Sequence, residues 1–112
     1  MGLFAYLSGI FGEDKACNWL KKQGFEILER NFHSKFGEID IIAKKGEILH
    51  FIEVKSTSKD YETAFRVNKK KYEKLLKAID FYLLKKGFSS DFQLDLLCVQ
   101  KNEIEFRQNI SF

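Results

Sequence analysis

The sequence predicts an α/β domain of three layers, helix–sheet–helix. The hydrophobic periods along the chain run α-β-β-β-α-β-β. The longest helical period falls between two strand-like runs, the pattern of a right-handed crossover joining parallel strands. A length of 112 residues suits one core and one domain, residues 1–112.

The elements follow in order. Residues 13–23 form a helix, with Ala16, Cys17, Leu20 and Gly24 at helical spacing and Gly24 as its stop. Residues 1–11 precede it as an N-terminal segment that packs on the domain or hangs from it. Phe25 to Asn31 is a strand. Gly37 opens a β-branched strand through Ala43, Lys45-Gly46 makes a tight turn, and Ile48 to Thr57 returns. Tyr61 to Leu84 is the long helix, with Tyr72, Leu75, Leu76, Ile79, Tyr82 and Leu83 as its apolar stripe and Lys86-Gly87 as its end. Phe92 to Gln100 is a mostly apolar strand, consistent with burial on both faces. Lys101-Asn102 turns into an alternating strand, Glu103 to Gln108.

Composition bounds the function. Apolar residues are 45% and charged residues 31%, a globular balance. Cys17 and Cys98 have no metal-site spacing and sit among apolar residues, so they read as buried free thiols in a reducing compartment. No apolar run reaches the roughly 18 residues of a membrane span. Leu3 to Phe11 lacks the basic start and small-residue cleavage site of a secretory signal, and Tyr6 stands where a myristoylation site needs Ser or Thr. The expected location is cytoplasmic, with no membrane partner. The net charge is only +3, but residues 54–90 hold ten basic and four acidic groups, so the positive field lies mid-chain.

The chemistry gathers in Gly37-Glu38-Ile39-Asp40 and Phe51-Ile52-Glu53-Val54-Lys55. With Lys45 and Gly46 as the central turn residues, Ile42 faces Leu49 and Asp40 faces Phe51. Period-two alternation then puts Phe51, Glu53 and Lys55 on the face of Asp40. Glu53 becomes the diagonal neighbour of Asp40, with Cα atoms roughly 7–8 Å apart, so both carboxylates reach one ion. Ile39, Ile41, Ala43, Ile48, Ile52 and Val54 share the other face with His50. Paired carboxylates repel, and a hard divalent cation such as Mg²⁺, or Mn²⁺, removes the repulsion. Lys55 stands where an ammonium can orient a water or offset charge on a phosphate. A Glu-x-Lys on one strand face is also a common solvated ion pair. Glu13 points along the apolar face of the first helix, although acids also favour a first helical turn for electrostatic reasons.

In the long helix, Arg66, Lys69, Lys70, Lys71, Lys74 and Lys77 stand against Glu73 alone. Such a face suits a phosphate backbone and equally suits plain solvation. Lys71 borders the buried stripe and can reach the sheet. His33 and His50 have no ligand-spaced partner for zinc, and there is no Gly-x-Ser-x-Gly elbow, Walker loop or dinucleotide glycine loop.

Gly12-Glu13-x-x-Ala16, Gly24-Phe25-x-Ile27-Leu28-x-Arg30-Asn31, Gly37-Glu38-Ile39-Asp40-x-Ile42-Ala43, Phe51-Ile52-Glu53-Val54-Lys55 and the later Val67, Lys71, Ala78 and Leu83 resemble the bacterial YraN family, uncharacterised protein family 0102. The likeness runs from about Gly12 to Phe112. That family is considered endonuclease-like and is similar to the restriction-endonuclease-like superfamily and to archaeal Holliday-junction resolvases. The resemblance implies a restriction-endonuclease-like α/β/α fold with a mixed five-stranded sheet in order 12345. It implies Asp40 and Glu53 as metal ligands, Lys55 as the catalytic lysine and Glu13 as the auxiliary acid of the metal site. Lys71 matches a lysine that the family carries in its second helix. Two positions depart from the family pattern: His33 and Thr57 stand where arginine is usual, and neither reproduces its two-pronged grip on phosphate.

The expectation is a Mg²⁺-dependent nuclease acting on DNA, branched or damaged structures included, with a homodimer as the form that such resolvase-like enzymes often take. Lys69, Lys70, Lys71, Lys74 and Lys77 are the expected nucleic-acid-binding face. The alternatives are a nucleic-acid-binding protein that keeps the fold without cutting, and a protein-interaction module.

Overall fold

The computed structural model describes residues 3–55, 69–87, 91–100 and 103–110, with side chains from Gly12 onward. Thr57, Arg66, Val67, the Lys101-Asn102 turn and the first turns of the expected long helix lie outside the described residues. The elements are α1 (Leu3–Lys22), β1 (Glu26–Ser34), β2 (Gly37–Lys45), β3 (Ile48–Lys55), α2 (Lys69–Lys86), β4 (Phe92–Gln100) and β5 (Glu103–Arg107). The five strands form one mixed sheet in the order β1-β2-β3-β4-β5. All neighbours are antiparallel except β3 and β4, which α2 separates in sequence and which run parallel. The expected parallel pair separated by a helix is therefore present, and the sheet lies between two helical layers.

Each sheet face has its own core. Under α2, Ile42, Leu49, Phe51, Leu94, Leu96 and Cys98 meet Leu75, Ala78, Ile79 and Tyr82. Under α1, Ile41, Ala43, Ile52, Leu97 and Val99 meet Ala16, Cys17, Leu20 and Phe25. Tyr82 sets its ring edge-on to Phe32 and Phe51, at centroid distances of 5.1 and 5.8 Å. Both cysteines are buried, and neither forms a disulfide. Among the described residues, no helix is long and apolar enough to cross a membrane.

Three boundaries differ from the sequence reading. The first helix begins at Leu3, not at residue 13, because nothing from Leu3 to Glu13 breaks it; its glycines lower helix propensity without ending it. Residues 3–11 are thus helix and not a separate segment. The helix ends in a Schellman motif: Gly24 has φ +94°, its N–H donates to the Lys21 carbonyl, and that of Phe25 donates to the Leu20 carbonyl at 3.0 Å. β1 continues past Asn31 to Ser34, and β5 ends at Arg107.

The hairpin turn also sits one residue later than expected. Lys45 pairs with Ile48, so Gly46 and Glu47 are the central residues. Gly46 takes the first of these with φ +62°, where a mirror-image two-residue turn wants glycine. The turn keeps its length, so the parity argument survives while the register moves. Ile42 pairs with Phe51 and Ile41 with Ile52. The pairing ends at Ile41 and Ile52, so Asp40 and Glu53 are the residues just beyond it, and Asp40 does not stand opposite Phe51.

The expected assignment of faces changes as well. Ile39 packs in the α2 core and Ile41 in the α1 core, although a regular strand would put both on one face. Alternation breaks at Asp40, opposite the point where Asn31 of β1 takes φ +52°. Phe32 pairs with Ile39 and Arg30 with Ile41, and Asn31 and Asp40 lie between those pairs. Both faces of the sheet are packed, and Asp40 and Glu53 lie at the end away from the β2–β3 turn.

Ile52 is fully buried, whereas Leu84 is 83% exposed. Ile52→Ala should lower unfolding free energy by about 2–5 kcal/mol and Leu84→Ala by less than about 0.5 kcal/mol, read from urea midpoints at constant m-value.

Candidate active site

The site stands where β2 begins and β3 ends, beneath the first turns of α2. Ser34 fixes the approach to it. Its hydroxyl accepts from the N–H groups of Phe36 and Gly37, at 3.2 Å each, and donates to the Gly37 carbonyl at 2.9 Å. This pins the β1–β2 turn and the start of β2. A pocket of about 280 Å³ follows, lined by Gly37, Glu38, Asp40, Glu53, Lys71, Lys74 and Leu75.

Asp40 is anchored from the backbone: its Oδ2 accepts the Val54 N–H at 2.8 Å. This bond ties the start of β2 to the end of β3 and sets the carboxylate beside Glu53. The Glu53 side chain is 13% exposed, and its Oε1 lies 3.6 Å from Lys55 Nζ. Burial raises both acids above the usual carboxylate range. Asp40 is pushed up by burial and held back by the Val54 N–H, Lys55 and Lys71. Glu53 is pushed up first by burial and then by the charge of Asp40, with Lys55 and Lys71 opposing. Both remain under-compensated as carboxylates.

Glu13 approaches from the other layer. It is interior to α1, whose first turn carries no acid, so the helix terminus does not account for its presence. Its side chain is 12% exposed, and its Oε1 accepts from Arg30 Nε at 3.2 Å and from Asn31 Nδ2 at 3.0 Å. Arg30 also reaches Asp14 at 2.6 Å. Burial raises the pKa of Glu13 against the pull of Arg30, and the charge of Asp40 adds to the rise. Glu13 thus senses Asp40 but is bound by β1, outside the pocket lining.

The predicted residues therefore separate into groups. Asp40, Glu53, Lys71 and Lys74 share the pocket, and Lys55 stands beside it on Glu53. Lys69, Lys70 and Lys77 lie on exposed turns of α2 outside it, with Lys77 beside an apolar patch of Phe36, Phe81 and Leu84. His33 is exposed and 3.0 Å from Glu38. Among the described residues, no group of three or more His, Cys, Asp or Glu is gathered as a metal cage. Two half-buried carboxylates with open space before them match the needs of Mg²⁺, which keeps several waters and takes few protein oxygens.

Sequence reasoning missed two features. Arg30 and Asn31 hold Glu13, and the signal was an Arg-Asn pair in a strand whose alternation fails there. Asp95 is fully buried and meets His50 at 2.6 Å. The signal was one acid in the apolar run of β4 next to one imidazole in β3.

Residues 12–99 match the model of a family described as uncharacterised protein family UPF0102. The chain is 70% identical to a UPF0102 protein of Campylobacter jejuni (strain 81-176) and 59% identical to one of Campylobacter fetus, each over the full length of both chains. A UPF0102 protein of Campylobacter lari is 62% identical over the same span.

The raised acids set a pH dependence. An acid with a higher pKa folded than unfolded binds its proton more tightly in the native state, so its contribution falls as pH rises from the ordinary carboxylate range, near 4, through the raised folded value. Glu53→Gln should remove that fall. Its stability relative to the parent protein should increase with pH across this window and stay level above it, as read from urea midpoints.

Proposed function

The chain belongs to the uncharacterised protein family UPF0102, and within it we propose a Mg²⁺-dependent nuclease that hydrolyses DNA phosphodiesters, branched or damaged DNA being its substrate class. One observation carries this reading: Asp40 and Glu53 line a single pocket as under-compensated carboxylates, with Lys71 and Lys74 at its rim. Such a site favours an added divalent cation and a phosphate beside it.

Asp40 and Glu53 are the residues that would hold Mg²⁺ or Mn²⁺. The ion would supply Lewis-acid polarisation of a phosphoryl oxygen and a more acidic bound water. Asp40 is positioned for this by the Val54 N–H, which leaves its other oxygen free of that bond. Lys55 opposes the rise in the Glu53 pKa and orients the attacking water at the end of β3. Lys71 and Lys74 meet the phosphate, while Lys69, Lys70 and Lys77 follow the backbone along α2. Glu13, steadied by Arg30 and Asn31, acts as an outer acid that tunes the charge of Asp40.

A second reading, DNA binding without cleavage, draws on His33. It stands where the resembling family usually has arginine, and its ring is engaged by Glu38 instead of presenting a fork to phosphate.

Cleavage of labelled branched and linear DNA separates the two. The nuclease reading expects product with Mg²⁺ or Mn²⁺, none with a chelator, and a loss of about 10²-fold or more in Lys55→Ala. DNA retention with no divalent-dependent product in any preparation would favour the second reading. Under both, Lys74→Ala should weaken binding and reduce the slope of log affinity against log salt by roughly one.

A further inference from the structure

A second cavity, of about 330 Å³, opens on the α1 side of the sheet, beneath the C-terminal turn of α1. It lies at the turn end of the β2–β3 hairpin, and none of its lining residues belongs to the site above. Its walls are aromatic. Phe25 stands edge-on to Phe106 at 5.8 Å and to the His50 ring at 4.8 Å, and Trp19 stands edge-on to Phe106 at 5.5 Å. Its polar groups are His50, Gln93 and Gln108, with Gln23 and Lys45 at the margin.

The hydrogen-bond network fixes what these groups present. Oδ1 of the buried Asp95 accepts the Asn109 N–H at 2.9 Å and the Gln93 amide N–H at 2.8 Å. A carboxylate that collects donors in this way fixes the Gln93 amide with its nitrogen inward. The same nitrogen donates to Gln108 Oε1 at 3.3 Å, which sets the Gln108 amide in turn. Asp95 Oδ2 meets His50 Nδ1 at 2.6 Å, which fixes the ring and turns its Nε2 away from Asp95. His50 is 4% exposed, and its Nε2 has no hydrogen-bond partner among the described residues. No fully enclosed side-chain N or O there lacks a partner, so Nε2 opens onto the cavity it lines.

A histidine placed only for packing has no need of an oriented, open ring nitrogen. This cavity is lined by His50, whose Nε2 opens onto it, and by the amides of Gln93 and Gln108, all beside aromatic rings. A flat heterocycle with donors and acceptors on its edge complements that set. A saturated apolar ligand would leave all three groups unpaired.

We propose that this cavity is a nucleobase-binding site, reading the base edge through His50, Gln93 and Gln108 and covering its face with Trp19, Phe25 and Phe106. The site stands independently of the nuclease reading. The base can come from a free nucleotide or from an unpaired nucleotide of a longer strand, since the recognised chemistry is the same.

Trp19 is the only tryptophan, so its fluorescence reports the site. The full chain is titrated with the four common nucleoside 5′-monophosphates, with inorganic phosphate as the reference anion. Saturable quenching by at least one nucleotide and none by phosphate is expected. Gln108→Ala, at an exposed position, should weaken that binding about tenfold with thermal stability unchanged, and Phe106→Leu should weaken it by a similar factor. A short single-stranded oligonucleotide then distinguishes the source: displacement of the nucleotide assigns the site to unpaired bases of a strand, and failure to displace assigns it to free nucleotides. Absence of quenching at millimolar nucleotide, equal quenching by phosphate, or an isotherm unmoved by both substitutions would overturn the proposal.

Discussion

Two carboxylates are desolvated against each other at the end of the sheet away from the β2–β3 turn. Asp40 and Glu53 are both raised by burial, and each is disfavoured further by acids around it. Burying like charges is unfavourable unless cations or donors answer them. The protein answers in part, with one backbone N–H on Asp40, Lys55 on Glu53, and Lys71 in the field of both. The rest of the functional account depends on that partial compensation.

The surrounding fold holds the pair in place. A two-residue hairpin turn with Gly46 first fixes the parity of β2 and β3, so both acids project toward α2. The parallel pairing of β3 with β4 buries the strand that carries Glu53 from both sides. The break in alternation at Asp40 lets Ile39 and Ile41 enter different cores. A regular β2 would commit both isoleucines to one layer. Asn31, held in the left-handed region, spends its side chain on Glu13, so a strained backbone position and an acid near Asp40 are linked by one bond.

Much of this was legible in the residues. The order of periods gave the layers, and the long helix between strands gave the parallel pair, because burial on both faces leaves β4 mostly apolar. The common face of Asp40 and Glu53 was legible because parity depends on turn length alone. The register was not, because centring the turn on Lys45-Gly46 or on Gly46-Glu47 leaves the pattern equally satisfied, and the choice rests on the sign of one glycine φ. The full extent of α1 was hidden because glycines at positions 9 and 12 imitate a boundary that neighbouring turns override. The partners of Glu13 and of His50 were hidden for a common reason. Each bond joins residues far apart in sequence, at 17 or 18 positions for Glu13 and 45 for His50, and no local period reports such a pairing.

The central claim is that the Asp40–Glu53 pair is completed by a divalent cation. Calorimetric titration of Mn²⁺ into the protein at neutral pH, with Glu53→Gln alongside, tests it most directly. The account predicts a saturable binding heat in the parent chain that disappears in Glu53→Gln, although that variant is folded to the same degree. Equal heats in the two proteins, or none in the parent at millimolar Mn²⁺, would contradict it.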